Sequence, residues 1–111
     1  MYEVKAIVRL DRQEEVIAAL HAVADLPGLT ISMVEGVGRR HADVAIEPAD
    51  YGRATMAKIE IVVGGDQLES VLDVVARSAQ TERRGDGKVF VSTVDRVIRL
   101  RTGETGPAGL K

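Results

Sequence analysis

The residues best suited to chemistry lie in one stretch, Thr81-Glu82-Arg83-Arg84-Gly85-Asp86-Gly87-Lys88-Val89-Phe90-Val91. Glycine lets a backbone turn sharply and approach a ligand closely. Successive N–H groups in such a turn form a concave nest for an anion, and Lys88 adds a positive charge at its mouth. Downstream, Arg99 and Arg101 are two apart, which on an extended segment puts both on one side. From 83 to 101 there are six Lys/Arg against two acids, a local cationic site whose arginine forks suit phosphate oxygens. The same letters also describe an ordinary helix-to-strand turn followed by solvated arginines, and the local pattern leaves both readings open. A second stretch, Gly36-Val37-Gly38-Arg39-Arg40-His41, is a weaker anion candidate of the same kind. It too reads equally well as the root of a flexible loop.

Other chemistries are set aside by residue type. With no cysteine, the chain has no disulfide scaffold, thiolate metal site or cysteine nucleophile. No G-x-x-x-x-G-K-[ST] occurs, so this is not a P-loop. Ser32, Ser70, Ser78 and Ser92 lack a nucleophile-elbow context. Glu35, Asp43, Glu47 and Asp50 are dispersed, with no spacing that argues for paired acid–base work. His21 and His41 are far apart, which disfavours a histidine metal cage. No enzymatic activity is expected. The net charge of −2 and only three aromatics, Tyr2, Tyr51 and Phe90, argue against nucleic acid as a partner. No apolar run approaches the roughly 18 residues of a membrane span. No basic-then-apolar segment opens the chain, so a cytoplasmic location is expected.

The elements that must position these residues follow from periodicity. The 111 residues, 45% of them hydrophobic and 29% charged, fit one folded domain. Residues 2–10 alternate, with Val4, Ala6, Val8 and Leu10 on one face and Lys5 and Arg9 on the other, which predicts a strand. Asp11 and Glu14 form a capping-box pattern, and a helix is predicted to about Asp25. Residues 29–35 and 56–63 read as strands, separated by an aperiodic stretch from 36 to 55. Asp66 with Glu69 repeats the capping pattern before a second amphipathic helix. Residues 88–94 form a fourth strand, 96–101 a short extended basic segment, and the polar end is expected to fray. The order β-α-β-loop-β-α-β is that of an α+β, ferredoxin-like βαββαβ sandwich with both helices on one sheet face. The other face needs cover, and sister copies in a closed homo-oligomer are the simplest cover.

Taken in order, these residues resemble the PII signal-transduction family over nearly the whole chain. Thr81-x-x-x-Gly85-Asp86-Gly87-Lys88-Val89-Phe90-Val91-x-x-Val94 resembles the signature of that family's B-loop. Val97 to Gly106 resembles its C-terminal segment, Lys58 to Val63 its third strand, and Gly36-x-Gly38-Arg39 the root of its T-loop, here about 37–55. The resemblance implies a ferredoxin-like domain over 1–101, a tail over 102–111, and a homotrimer with adenine nucleotide (ATP, ADP or AMP) in clefts between subunits. It further implies that Thr30 and Val62 meet the adenine, and that Gly85, Asp86, Gly87 and Lys88 form the phosphate turn. Arg99 and Arg101 would reach in from a neighbouring subunit, with Gly38 and Arg39 near the outer phosphates. Such proteins reshape the T-loop in response to nucleotide and an anionic metabolite, and so dock on or leave a target protein, such as a transporter or enzyme.

Departures from the family pattern sharpen the expectation. Tyr51 stands where the family's uridylylated tyrosine would be, but in the context Ile46-Glu47-Pro48-Ala49-Asp50, so it is expected to be a plain loop tyrosine. The family's glutamine after Gly-x-Gly-Arg is Arg40 here, and its lysine two residues before Lys58 is Met56. Losing that cation removes a charge-assisted partner worth ~1.5–3 kcal/mol. An arginine supplies no oxygen ligand to Mg²⁺. Weak or absent 2-oxoglutarate binding is therefore expected, with ADP or AMP favoured over Mg-ATP. Arg40 and His41 suit a small anion instead, and bicarbonate is a candidate that would tie the chain to inorganic-carbon uptake or carboxysomes. A slow ATPase on the same phosphate cradle and a ligand-free structural trimer are the alternatives of other classes.

Overall fold

The computed structural model describes residues 1–38 and 53–111. Four antiparallel strands form one sheet in the order β2-β3-β1-β4, with β1 at Tyr2–Arg9, β2 at Thr30–Val37, β3 at Arg53–Val63 and β4 at Gly87–Thr93. Helix α1 (Gln13–His21) follows β1 after a 3-10 turn at Leu10–Arg12, and α2 (Gly65–Ala79) joins β3 to β4. A short α3 spans Pro107–Leu110. This is the α+β, ferredoxin-like arrangement expected from the pattern of elements.

The alternation in the strands decides which face is buried. Val4, Ala6 and Val8 of β1 and Ala57, Ile59, Ile61 and Val63 of β3 point to one side and are at most 3% exposed. Val16 and Leu20 of α1 and Val71, Val75 and Ala79 of α2 close over them. The intervening residues, Glu3, Lys5, Ile7 and Arg9 on β1 with Met56, Lys58, Glu60 and Val62 on β3, occupy the opposite face. There Lys58 lies 3.5 Å from Glu60 and Lys5 lies 4.0 Å from Glu3. Phe90 of β4, cross-strand from Lys5 on that face, is 51% exposed.

Several boundaries differ from the sequence expectation. Strands β2 and β3 run on to Val37 and from Arg53, paired Val37↔Arg53 at their ends. Backbone pairing does not need the hydrophobic alternation that the sequence loses there. The rest of the expected T-loop, including Arg39, Arg40, His41 and Tyr51, lies outside the described residues. Helix α1 stops at His21 rather than near Asp25, because Val23 N–H already bonds the Leu20 carbonyl in a tighter turn and Asp25 takes a left-handed φ of 60°. Neither expected aspartate cap forms. Arg12 occupies the cap position of α1, and Asp11 pairs with Arg9 instead. Gly64 caps α2 in position only, leaving Asp66 in the first turn, where its charge favours the helix dipole.

The tail is not a loose run but carries a bridge and a short helix. Glycines with positive φ, Gly103 (74°) and Gly106 (67°), let it fold back on itself. Arg99 N–H donates to the Glu104 carbonyl at 2.8 Å, Ile98 bridges Thr105, and Pro107 opens α3 at a position where proline's missing N–H is harmless. The basic segment therefore ends in a turn at Leu100–Thr102, which separates Arg101 from the bridged stretch before it.

Candidate functional site

The Gly-Asp-Gly turn is built from within. Past the end of α2, Thr81 donates its backbone N–H to Asp86 Oδ2 at 2.8 Å and its hydroxyl to Asp86 Oδ1. These bonds, the hydroxyl's first, hold the Asp86 carboxyl below its ordinary value, with weaker help from the Glu82 and Arg83 amides. The carboxylate thus faces into the turn as its clasp. Glu82, Gly85 and Gly87 carry φ values of 62°, 85° and 103°. Gly87 admits no side chain: a Cβ there would stand 1.8 Å from the Ile7 carbonyl oxygen. The turn therefore delivers Lys88 onto β4 opposite Ile7, on the face away from the helices.

Two cavities gather most of the expected site residues. One, of 310 Å³, brings Gly38, Gly85, Gly87 and Lys88 together at the β2–β3 root, against an apolar wall that includes Ile7, Met56 and Phe90. Met56 lies against Gly36, where an added Cβ would meet its Cγ at 3.2 Å. The other, of 350 Å³, contains Thr30 and Val62 with Glu3, Glu60, Gly109 and Leu110. Glycine backbone and a lysine fit phosphate, and a hydroxyl beside an apolar wall fits a purine edge and face. Within one chain these are separate hollows. Arg99 and Arg101 join neither. Arg99 lies 3.6 Å from Glu104, and Arg101 is exposed in the C-terminal turn. Among the described residues, no three histidine or acidic side chains cluster as metal ligands.

Three residues near these hollows escaped the sequence reading. Gly109 and Leu110 line the Thr30 cavity because the tail folds back. Arg9, noted only as an outward strand residue, donates Nη1 to the Arg84 carbonyl at 3.4 Å and Nε to Asp11 at 3.4 Å. Alternation shows that Arg9 faces away from the core, but not that a residue 75 positions later stands beside it.

With sheet and turn in place, the comparisons are specific. The family model described as "Nitrogen regulatory protein P-II" matches residues 1–104. The chain is 42% identical over 110 residues to nitrogen regulatory protein P-II of Bradyrhizobium diazoefficiens, covering 96% of each. It is 42% identical over 112 residues to nitrogen regulatory protein P-II 2 of Methanothermobacter thermautotrophicus, covering 96% of this chain and 94% of that one. It is 39% identical over 111 residues to nitrogen regulatory protein GlnK of Escherichia coli, covering 96% and 97%. The crystal structure of Arabidopsis thaliana PII bound to citrate superposes with a TM-score of 0.81 at 39% identity, covering 97% of this chain and 90% of that one. The relatives are regulatory proteins by name, and the sheet matches that of a PII structure. The chain belongs to the P-II nitrogen regulatory protein family.

Proposed function

We propose that this P-II protein binds ATP, ADP or AMP in clefts between the subunits of a homotrimer and reports occupancy through its T-loop to a target protein, such as a transporter or enzyme. The supporting observation is the meeting of Gly38, Gly85, Gly87 and Lys88 in one cavity, on a turn that Thr81, Asp86 and the missing Gly87 side chain hold in shape. Donors fixed before the ligand arrives lose little entropy on binding. The Thr30 and Val62 hollow takes the adenine. The trimer supplies what one chain lacks, since Arg99 and Arg101 stand apart from both hollows and complete the site from a neighbouring copy. A cytoplasmic setting follows from the nucleotide. Among the described residues, no helix is long and apolar enough to cross a membrane.

Thermal denaturation with and without nucleotide tests this. Ligand at about 100-fold its Kd stabilises by about 2.7 kcal/mol, a rise of several degrees in a domain of this size. Melting temperatures that ignore millimolar ATP, ADP and AMP would refute the proposal.

Met56 stands where the family carries lysine, which disfavours 2-oxoglutarate, and Arg40 in place of the family's glutamine supplies no oxygen ligand to a bridging Mg²⁺. Bicarbonate is the small anion proposed in place of 2-oxoglutarate. Calorimetry with nucleotide present decides between them: heat with bicarbonate and none with 2-oxoglutarate is expected, and the reverse would exclude the substitution.

A further inference from the structure

We propose that Arg9 is a positioning residue of the phosphate site, holding the Gly85 amide in its binding direction. The inference rests on the nucleotide-binding reading above. Arg9 ends β1 on the face opposite the core, with its side chain 26% exposed. Its Nη1 donates to the Arg84 carbonyl at 3.4 Å. The peptide between Arg84 and Gly85 is planar and trans, so its C=O and N–H point in opposite directions. Drawing the carbonyl toward Arg9 aims the Gly85 N–H away from Arg9. Gly85 lines the cavity that holds Lys88, and Arg9 Nη1 stands 3.8 Å from where a Gly85 Cβ would be.

Arg9 is itself held. Its Nε donates to Asp11 Oδ1 at 3.4 Å, and Asp11 Oδ2 lies 4.0 Å from Arg83 Nη2. One carboxylate thereby ties the arginine at the end of β1 to an arginine within the turn. Cross-strand from Arg9 stands Met56, which offers neither a competing acceptor nor a repelling charge. The Arg9 guanidinium keeps three further N–H donors, and its contact with the Arg84 carbonyl puts its positive charge next to the turn.

Three variants, R9Q, R9K and D11N, test the assignment by calorimetry with ATP and AMP, melting temperature, and the amide NMR resonance of Gly85 in ligand-free protein. R9Q is expected to lose about tenfold in ATP affinity, the lower end for a charged hydrogen bond, and less for AMP, so the ATP-to-AMP ratio falls. The Gly85 resonance moves, the melting temperature does not, and R9K recovers part of the ratio. D11N, which keeps Arg9 but frees it, shifts the ratio in the same direction and serves if R9Q fails to fold. Wild-type binding of ATP with an unchanged ratio in R9Q and D11N overturns the role of Arg9 and leaves nucleotide binding intact. Wild-type protein that ignores ATP overturns both.

Discussion

At the scale of single residues, Gly87 is the position with least freedom. Its φ of 103° and the 1.8 Å approach of a Cβ to the Ile7 carbonyl make any side chain incompatible with the β1–β4 pairing. Backbone strain of this kind costs about 1–3 kcal/mol before the steric clash is added. G87A is expected to destabilise by at least about 2 kcal/mol in chemical denaturation, whereas G28A, with open space around it, leaves the midpoint unchanged. Equal midpoints would show that the turn tolerates a side chain. Asp86 gives a pH signature. Its folded-state pKa lies below the ordinary value of 3.8 because Thr81 bonds its charged form. Its contribution to stability is therefore complete above the unfolded pKa and is lost as pH falls through the lower folded value. An NMR titration should show Asp86 ionising below 3.8, and T81A should move it back up. An unshifted Asp86 in the wild type would remove the clasp.

Element by element, alternation and helical spacing made the strand and helix cores legible, since Val4, Ala6 and Val8 or Val71 and Val75 must share a face to be buried. The ends were not legible, because they depend on partners distant in sequence. Asp11 satisfies the local rule for a helix cap, yet Arg9 and Arg83 claim its carboxylate. The tail reads as polar and loose, yet Gly103 and Gly106 permit a reversal that brings Leu110 to the Thr30 hollow. The glycine turn before Lys88 was readable as a turn, while the neighbourhood of Arg9 and Arg84 required the strand pairing to become visible. Truncation before Pro107 tests the role of α3. It buries no core residue, so the denaturation midpoint should hold. ADP affinity should fall about fivefold, as expected for losing roughly 1 kcal/mol of apolar contact with Leu110. Unchanged affinity would place the adenine elsewhere. On β3, M56K restores a cation to the Lys88 cavity and should raise 2-oxoglutarate affinity about tenfold in the presence of ATP. No change in calorimetry would show that Met56 does not control that ligand.

For the whole molecule, the open sheet face and the split site point the same way. Phe90 is half exposed on a face where Lys5 and Lys58 stand beside Glu3 and Glu60 and Arg9 and Lys88 add positive charge, and copies packed there would cover it. Light scattering after gel filtration should return three chain masses, and one chain mass would leave the site incomplete. The grip of the glycine-lined turn on polyphosphate is tested most directly by titrating ATP into the wild type and K88A in a calorimeter at moderate salt. Saturable binding in the wild type, weakened about tenfold or more by loss of the charged hydrogen bonds in K88A, is the expected result. No heat at millimolar ATP, or equal affinity in the two proteins, would contradict it.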